Sequence, residues 1–170
     1  MKLIIIGSPG SGKSVLSKKI NKIINYPILH LDKIYHTGGK SHISRSELIE
    51  KINDFTSINN NWIIDGNYIS TIEKRISSAD TIILLNLPTE TCLENIIKRS
   101  QDRLSLEVKH EDMADNFDHT LSDEFVEFVK NFSNETFPKI QSILSNYTNK
   151  TIHIFSSYDE IDDFLNNLKL

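Results

Sequence analysis

Residues 7–14 read G-S-P-G-S-G-K-S and directly follow the apolar run Leu3–Ile6. This octapeptide matches G-x-x-x-x-G-K-[ST] in full, a pattern whose small residues let consecutive backbone N–H groups surround a phosphate. Apolar residues then recur at helical spacing over residues 13–25. The loop therefore joins a strand to a helix, and the positive end of the helix dipole faces the same anion. The octapeptide predicts a nucleotide-binding α/β fold.

The same loop predicts how Mg-ATP binds. We expect the amine of Lys13 to reach the β- and γ-phosphates, and the hydroxyl of Ser14 is placed to bind Mg²⁺. The residues expected to contact the nucleotide are Gly7, Ser8, Pro9, Gly10, Ser11, Gly12, Lys13, Ser14 and Val15.

Short apolar segments alternate with helical patterns along the chain. The predicted strands are residues 2–6, 27–31, 62–64, 81–87 and 150–155. The predicted helices include residues 44–58 and 89–101, one from about Ser122 to Ser145 that is kinked or split near Pro138, and one capped by Ser157 and Glu160. Near-continuous apolar strands alternating with helices predict a three-layer fold with a parallel sheet covered on both faces. All 170 residues are expected to form one domain, with a lid or loop over the charged segment 102–119.

Composition restricts the expected location and partners. A net charge of −4 and a pI near 5.8 disfavour nonspecific binding to nucleic acid. The single cysteine, Cys92, cannot form an internal disulfide and fits a reducing compartment. No apolar run is long enough to span a bilayer, and the N-terminus lacks a secretory pattern. We expect a cytoplasmic protein, a monomer or weak dimer, that does not act on membranes or nucleic acid.

Missing motifs exclude two classes of P-loop protein. A GTPase switch needs D-x-x-G and N-K-x-D, and residues 149–152, N-K-T-I, lack the aspartate. There is also no long second domain that would couple ATP hydrolysis to mechanical work. Small kinases are the class that remains.

Three further segments make the assignment more specific. They are L-H-L-D-K-I-Y at residues 29–35, W-I-I-D-G-N-Y at 62–68 and A-D-T-I-I-L-L at 79–85. With the phosphate loop, they resemble the adenylate-kinase-related family often labelled DNA topology modulation protein, through about residue 140. The resemblance implies a P-loop NTPase fold with a five-stranded parallel sheet in the order 2-3-1-4-5, strands numbered along the chain. It leaves the phosphate acceptor open.

The chain departs from the family pattern at two places. Asn86 ends the fourth predicted strand where relatives usually carry an acidic residue, so the role of magnesium-binding carboxylate passes to Asp65. The segment 102–119 is also poorer in arginine than the family pattern.

Two aspartates follow predicted strands, at the sheet edge where ligands bind in α/β folds. Asp65 is expected to hold Mg²⁺ directly or through water, the alternative being a turn-forming Asp-Gly. Asp32 is expected to orient or deprotonate an acceptor hydroxyl, the alternative being a solvated loop aspartate.

Other candidates surround the expected acceptor. Arg75 is placed to clamp an acceptor phosphate, or else is a surface arginine paired with Glu73. Tyr35, Asn67 and Tyr68 are expected to shape the pocket for the acceptor by stacking and hydrogen bonding.

Arginines near the predicted lid are the last candidates. Arg99 and Arg103 are expected to stabilise charge on the transferred phosphoryl group, or else to complement the C-terminal end of a helix dipole. His30 is expected to be a core histidine and Cys92 a small buried helix residue.

Two functions follow from these residues. The first is a kinase that transfers the γ-phosphate of Mg-ATP to a nucleotide, a nucleoside or a similar small acceptor. The alternative, taken from the family label, is an ATP-dependent regulatory protein associated with DNA topology. Whether the acceptor offers a phosphate or a hydroxyl group is left open.

Overall fold

The computed structural model describes residues 1–38, 41–104 and 121–168. The strands are β1 (Lys2–Gly7), β2 (Ile28–His30), β3 (His36–Gly38), β4 (Ser41–His42), β5 (Trp62–Asp65), β6 (Thr81–Leu85) and β7 (Thr151–Phe155). The α-helices are α1 (Lys13–Ile24), α2 (Leu31–Tyr35), α3 (Arg45–Ile58), α4 (Ile72–Ser78), α5 (Thr89–Leu104), α6 (Asp123–Asn131), α7 (Phe137–Leu144) and α8 (Tyr158–Leu168). A 3₁₀ turn at Ile69–Thr71 precedes α4, and a π-helical turn at Phe132–Thr136 joins α6 to α7.

The main sheet has five parallel strands in the order β2-β5-β1-β6-β7. These are the second, third, first, fourth and fifth strands predicted from the sequence, so the predicted sheet and its order are confirmed. Parallel pairing brings the carboxyl ends of β1, β2 and β5 to one edge, where His30 lies opposite Asp65 and Ile5 lies opposite the same aspartate. The phosphate loop and both candidate aspartates therefore meet at that edge.

Two apolar cores cover the sheet, one on each face. Successive residues of β1 alternate between them, with Ile4 and Ile6 in one core and Leu3 and Ile5 in the other. All four side chains are fully buried, which explains why the strand is written as a continuous apolar run. The three-layer architecture thus follows from the two-residue period of a strand between two helical layers.

Helix boundaries follow their capping signals closely. The Ser44 hydroxyl accepts a hydrogen bond from the Glu47 backbone, and the Glu47 carboxylate accepts one from the Ser44 backbone, so α3 begins at the predicted capping box. Ser157 and Glu160 cap α8 in the same reciprocal way. The split expected near Pro138 is also present, as the π-helical turn that ends immediately before α7.

Other segments differ from the prediction. The segment between the predicted strand 27–31 and the predicted helix 44–58, for which no element was predicted, contains the short helix α2 and the antiparallel hairpin β3–β4. Of the predicted lid, residues 102–104 complete α5, and the remainder lies outside the described residues. Within the described ranges, no helix is both long enough and apolar enough to cross a membrane.

Candidate active site

The phosphate loop adopts a conformation that depends on its glycines. Gly10 and Gly12 have φ angles of 79° and 86°, in the left-handed region that favours glycine. A Cβ on Gly10 would lie 2.2 Å from the carbonyl oxygen of Cys92 on α5, whereas one on Gly12 would meet nothing within 4 Å. The loop is thus packed against α5 at Gly10 and open beside Gly12, where α1 begins.

The N-terminus of α1 is suited to an anion. No side chain caps this helix end, and its first turn contains no acidic residue. The hydroxyl oxygen of Ser11 is buried without a hydrogen-bond partner among the described residues. Because buried polar atoms and free helix N–H groups are normally satisfied, this arrangement fits a bound phosphate chain.

Lys13 lies at the centre of the site. Its Nζ donates to the carbonyl oxygens of Gly7 at 3.0 Å and Ser8 at 2.9 Å, so the amine is held against the loop. Burial lowers the pKa of Lys13, and the negative charges of Asp32 and Asp65 oppose that shift. Both candidate aspartates therefore lie within electrostatic range of the P-loop amine.

Asp65 is buried beneath the loop. Its Oδ2 accepts a hydrogen bond from the Ser17 hydroxyl at 2.6 Å, and the Nδ1 of His30 lies 2.8 Å from Oδ2 and 3.0 Å from Oδ1. The Ser17 hydroxyl also lies 3.0 Å from the carbonyl oxygen of Ser14. These contacts tie the carboxylate to α1 and β2, one helical turn from the residue expected to bind magnesium.

The sequence analysis missed Ser17 and understated His30. Ser17 stands three residues after Ser14, a spacing that places both on one helix face. The predicted sheet order places the second strand beside the third, so the ends of these strands, with His30 and Asp65, lie next to each other. That order was the signal from which the His30–Asp65 contact could have been found. His30 is a largely buried histidine, as expected, but its partner is a site residue.

Asp32 lies at the start of α2, beside an aromatic cluster. Its Oδ1 accepts a hydrogen bond from the Tyr68 hydroxyl at 2.7 Å. The Tyr35 ring lies 4.6 Å from that of Tyr68 and stacks on His42, with a 4.9 Å centroid separation and a 7° interplanar angle. His36 meets Tyr35 edge-on at 5.1 Å. The structure therefore brings three predicted acceptor-side residues together and adds two histidines from the hairpin that sequence reasoning did not foresee.

The structure contradicts the expected phosphate clamp at Arg75. The side chain is fully buried, and its guanidinium donates to the carbonyl oxygens of Gly66 at 2.9 Å, Asn67 at 3.2 Å and Tyr68 at 3.0 Å. A fourth bond runs from Nε to the Thr71 hydroxyl at 3.3 Å. Burial lowers the pKa of Arg75 to about 10, so the group remains cationic at neutral pH. The arginine holds the D-G-N-Y loop and has no exposed surface for a ligand, nor does it pair with Glu73.

Arg75→Ala should therefore destabilise the fold. Its loss leaves one buried and two partly buried carbonyls without their donor and opens a cavity, and we expect the free energy of unfolding to fall by roughly 3 kcal/mol or more. Urea denaturation measures this change, with Lys74→Ala as the matched control on an exposed position of the same helix. If Arg75→Ala instead keeps wild-type stability and raises the KM for the acceptor, Arg75 binds an acceptor phosphate as the sequence predicted.

The remaining candidates occupy varied positions. The Asn67 side-chain oxygen is buried without a hydrogen-bond partner within the described ranges. Arg99 is half-buried and its positive charge lowers the pKa of Lys13, which places it near the loop. Val15 is 60% exposed on α1. Arg103 belongs to the last turn of α5, and the prediction for its side chain lies outside the described residues.

No cluster of three or more histidine, cysteine, aspartate or glutamate side chains suitable for a metal is found in the described part of the chain. Mg²⁺ in kinases is usually held by one or two protein ligands together with substrate phosphates and water. The oxygen donors of Ser14 and Asp65 near the phosphate loop fit that mode of binding.

The relatives found by sequence comparison are shikimate kinases. Shikimate kinase from Clostridium botulinum (strain Langeland) is 25% identical over 173 residues, which cover 92% of this chain and 95% of the relative. Shikimate kinase from C. botulinum strain 657 is 27% identical over 115 residues, covering 59% of this chain and 67% of the relative. No protein-family model matches the chain.

Solved structures share the fold across nearly the whole chain. Deoxyadenosine kinase from M. mycoides aligns with a TM-score of 0.57 at 18% identity, covering 99% of this chain and 98% of that one. A gluconokinase from Sinorhizobium meliloti 1021 aligns with a TM-score of 0.58 at 12% identity, covering 98% of this chain and 90% of that one. Shikimate kinase from Bacteroides thetaiotaomicron aligns with a TM-score of 0.53 at 15% identity, covering 99% of this chain and 96% of that one. The chain has the fold of P-loop kinases.

These findings refine the resemblance noted from the sequence. They support an adenylate-kinase-like P-loop kinase fold for this chain. None of the relatives reported above is named for DNA topology, and nothing in the comparisons supports the DNA-associated alternative.

Proposed function

We propose that the protein transfers the γ-phosphate of Mg-ATP to a hydroxyl group of a small metabolite or nucleoside. The observation that carries this proposal is the position of Asp32. Its carboxylate is held by Tyr68 and lies within electrostatic range of the phosphate-loop amine of Lys13. A carboxylate beside the γ-phosphate is the group that a hydroxyl acceptor requires, because such an acceptor must lose a proton during the transfer.

Each site residue has a distinct task in this transfer. Lys13 and the backbone of the phosphate loop orient the triphosphate, and Asp32 accepts the proton of the acceptor hydroxyl. The new bond joins the acceptor oxygen to the γ-phosphorus, the bond from that phosphorus to the bridging oxygen breaks, and ADP leaves. Arg99 would place positive charge near the transferred group, and Arg103 is proposed from the sequence for the same role.

Mg²⁺, when bound with ATP, would neutralise charge on the β- and γ-phosphate oxygens. Ser14 would hold it directly. Asp65 already accepts hydrogen bonds from Ser17 and His30, which suits a contact through water.

Two further observations favour a hydroxyl over a phosphate acceptor. Arg75, the expected phosphate clamp, is committed to backbone carbonyls. The relatives are named for shikimate, gluconate and deoxyadenosine, and all three of these compounds carry hydroxyl groups. The ring cluster of Tyr35, Tyr68 and His42 would give such an acceptor an aromatic surface.

The test is a screen for acceptor-dependent ADP release. Its members are shikimate, gluconate, deoxyadenosine and other nucleosides, nucleoside monophosphates, and duplex DNA. We expect at least one phosphate-free hydroxyl compound to raise ADP release well above the rate with ATP alone. Stimulation by nucleoside monophosphates only would contradict the hydroxyl assignment, and stimulation by DNA only would favour the regulatory alternative.

A further inference from the structure

Tyr68 binds one oxygen of the Asp32 carboxylate and leaves the other available. A phenol carries a single proton, and Tyr68 donates it to Oδ1 at 2.7 Å. Oδ2 of Asp32 has no hydrogen-bond partner within residues 1–38, 41–104 and 121–168. Rotation about the terminal side-chain bond of Asp32 would otherwise exchange Oδ1 and Oδ2. The hydrogen bond from Tyr68 makes the two oxygens different.

The phenol remains a donor throughout the neutral pH range. Burial raises the pKa of Tyr68, and the negative charge of Asp32 and the hydrogen bond to it raise it further. Tyr68 therefore stays protonated and does not exchange roles with the carboxylate.

Backbone and ring contacts fix the phenol from two sides. Arg75 donates to the carbonyl oxygens of Gly66, Asn67 and Tyr68, so the loop that carries the ring is anchored to α4. The ring itself packs against Tyr35, with a 54° interplanar angle. A buried arginine and an aromatic neighbour thus hold the phenol in place, with Asp32 as its acceptor.

We infer that Tyr68 is a positioning residue for Asp32: it fixes Oδ1 so that Oδ2 receives the proton of the acceptor hydroxyl. This inference rests on the proposed function. During the transfer the acceptor proton moves to Oδ2, the acceptor oxygen bonds to the γ-phosphorus, and the Tyr68 proton stays on the phenol. Tyr68 is then neither the acid nor the base, and its effect passes entirely through Asp32.

A double-mutant cycle tests that dependence, using the best hydroxyl acceptor from the screen. Tyr68→Phe should lower kcat about 10-fold, the rate equivalent of one hydrogen bond to a charged group, with the KM for ATP unchanged. In the Asp32→Asn background the same change should alter kcat by less than about 2-fold, because the proton-accepting carboxylate that Tyr68 positions is already absent. Tyr147→Phe is the matched control, because this partly buried tyrosine comes just before the amino end of β7, at the sheet edge opposite the site. The inference would be overturned if the kcat losses of the two single variants multiply in the double variant, or if Tyr68→Phe raises the KM for the acceptor and leaves kcat normal. Either result would make Tyr68 a direct contact of the acceptor.

A second measurement needs no acceptor. In protein labelled with ¹³C at tyrosine Cζ, the Tyr68 resonance is assigned from its absence in Tyr68→Phe and compared at neutral pH between the wild type and Asp32→Asn. The Cζ shift responds to the group that accepts the phenol proton, so replacing the carboxylate by a neutral amide should move the Tyr68 resonance upfield and leave that of Tyr147 in place. An unchanged Tyr68 resonance would mean that the contact does not form in solution, and the inference would fall even if the screen finds an acceptor. A screen that finds no acceptor contradicts the proposed function instead, and the Cζ shift still decides the contact.

Discussion

Lys13→Ala should reduce phosphoryl transfer by roughly 10²- to 10³-fold while leaving the protein folded. The amine is the cation of the phosphate loop, and its charge is needed most when negative charge spreads over the transferred phosphoryl group. Among the described residues it donates to the carbonyl oxygens of Gly7 and Ser8, and its side chain is half-buried. Both bonds stay within the phosphate loop, so we expect the change to affect catalysis and not folding.

The measurement combines circular dichroism with acceptor-dependent ADP release. Lys22→Ala is the matched control, since it removes the same charge from the exposed last turn of the same helix. It should retain wild-type turnover. A folded Lys13→Ala protein with normal turnover would show that the loop is not the active site.

Asp32→Asn should lower kcat by roughly 10²-fold or more and leave the KM for ATP nearly unchanged. Asparagine keeps an oxygen that can accept the Tyr68 hydrogen bond, so the local structure is retained. It cannot take the acceptor proton at neutral pH. The loss therefore appears in kcat, the parameter that reports an interaction made in the transition state.

Asp54→Asn provides the matched control, because it removes an exposed carboxylate from α3. The same pair of variants also separates the two acceptor chemistries. If the acceptor presents a phosphate, which is already ionised, Asp32→Asn should cost little and a cationic clamp should matter more. A kcat within a few-fold of wild type would thus contradict the hydroxyl assignment.

The sheet and the phosphate loop were predictable because their signals are local. The central strands β1, β5 and β6 are short apolar runs bounded by polar residues or turns, and burial on both faces produces that pattern. The G-x-x-x-x-G-K-S loop needs glycine where φ is positive, as at Gly10 and Gly12. The capping box at Ser44 is likewise a signal spanning four residues.

The role of Arg75 was not predictable in the same way. Its position after D-G-N-Y is compatible with a ligand clamp and with a loop anchor, and only the fold shows that three carbonyls turn toward it. The contacts of Asp65 with Ser17 and His30 also depend on tertiary structure, since they join residues 48 and 35 positions apart. The hairpin β3–β4 escaped prediction because its strands are only three and two residues long.

The central claim is transfer of phosphate from ATP to a hydroxyl oxygen, and ³¹P NMR of the reaction with the best acceptor tests it most directly. The spectrum distinguishes a phosphomonoester from a phosphoanhydride and from free phosphate. We expect ADP and a new phosphomonoester in equal amounts, with both greatly reduced in Lys13→Ala and in Asp32→Asn. A phosphoanhydride product, or free phosphate as the sole product beside ADP, would contradict the account.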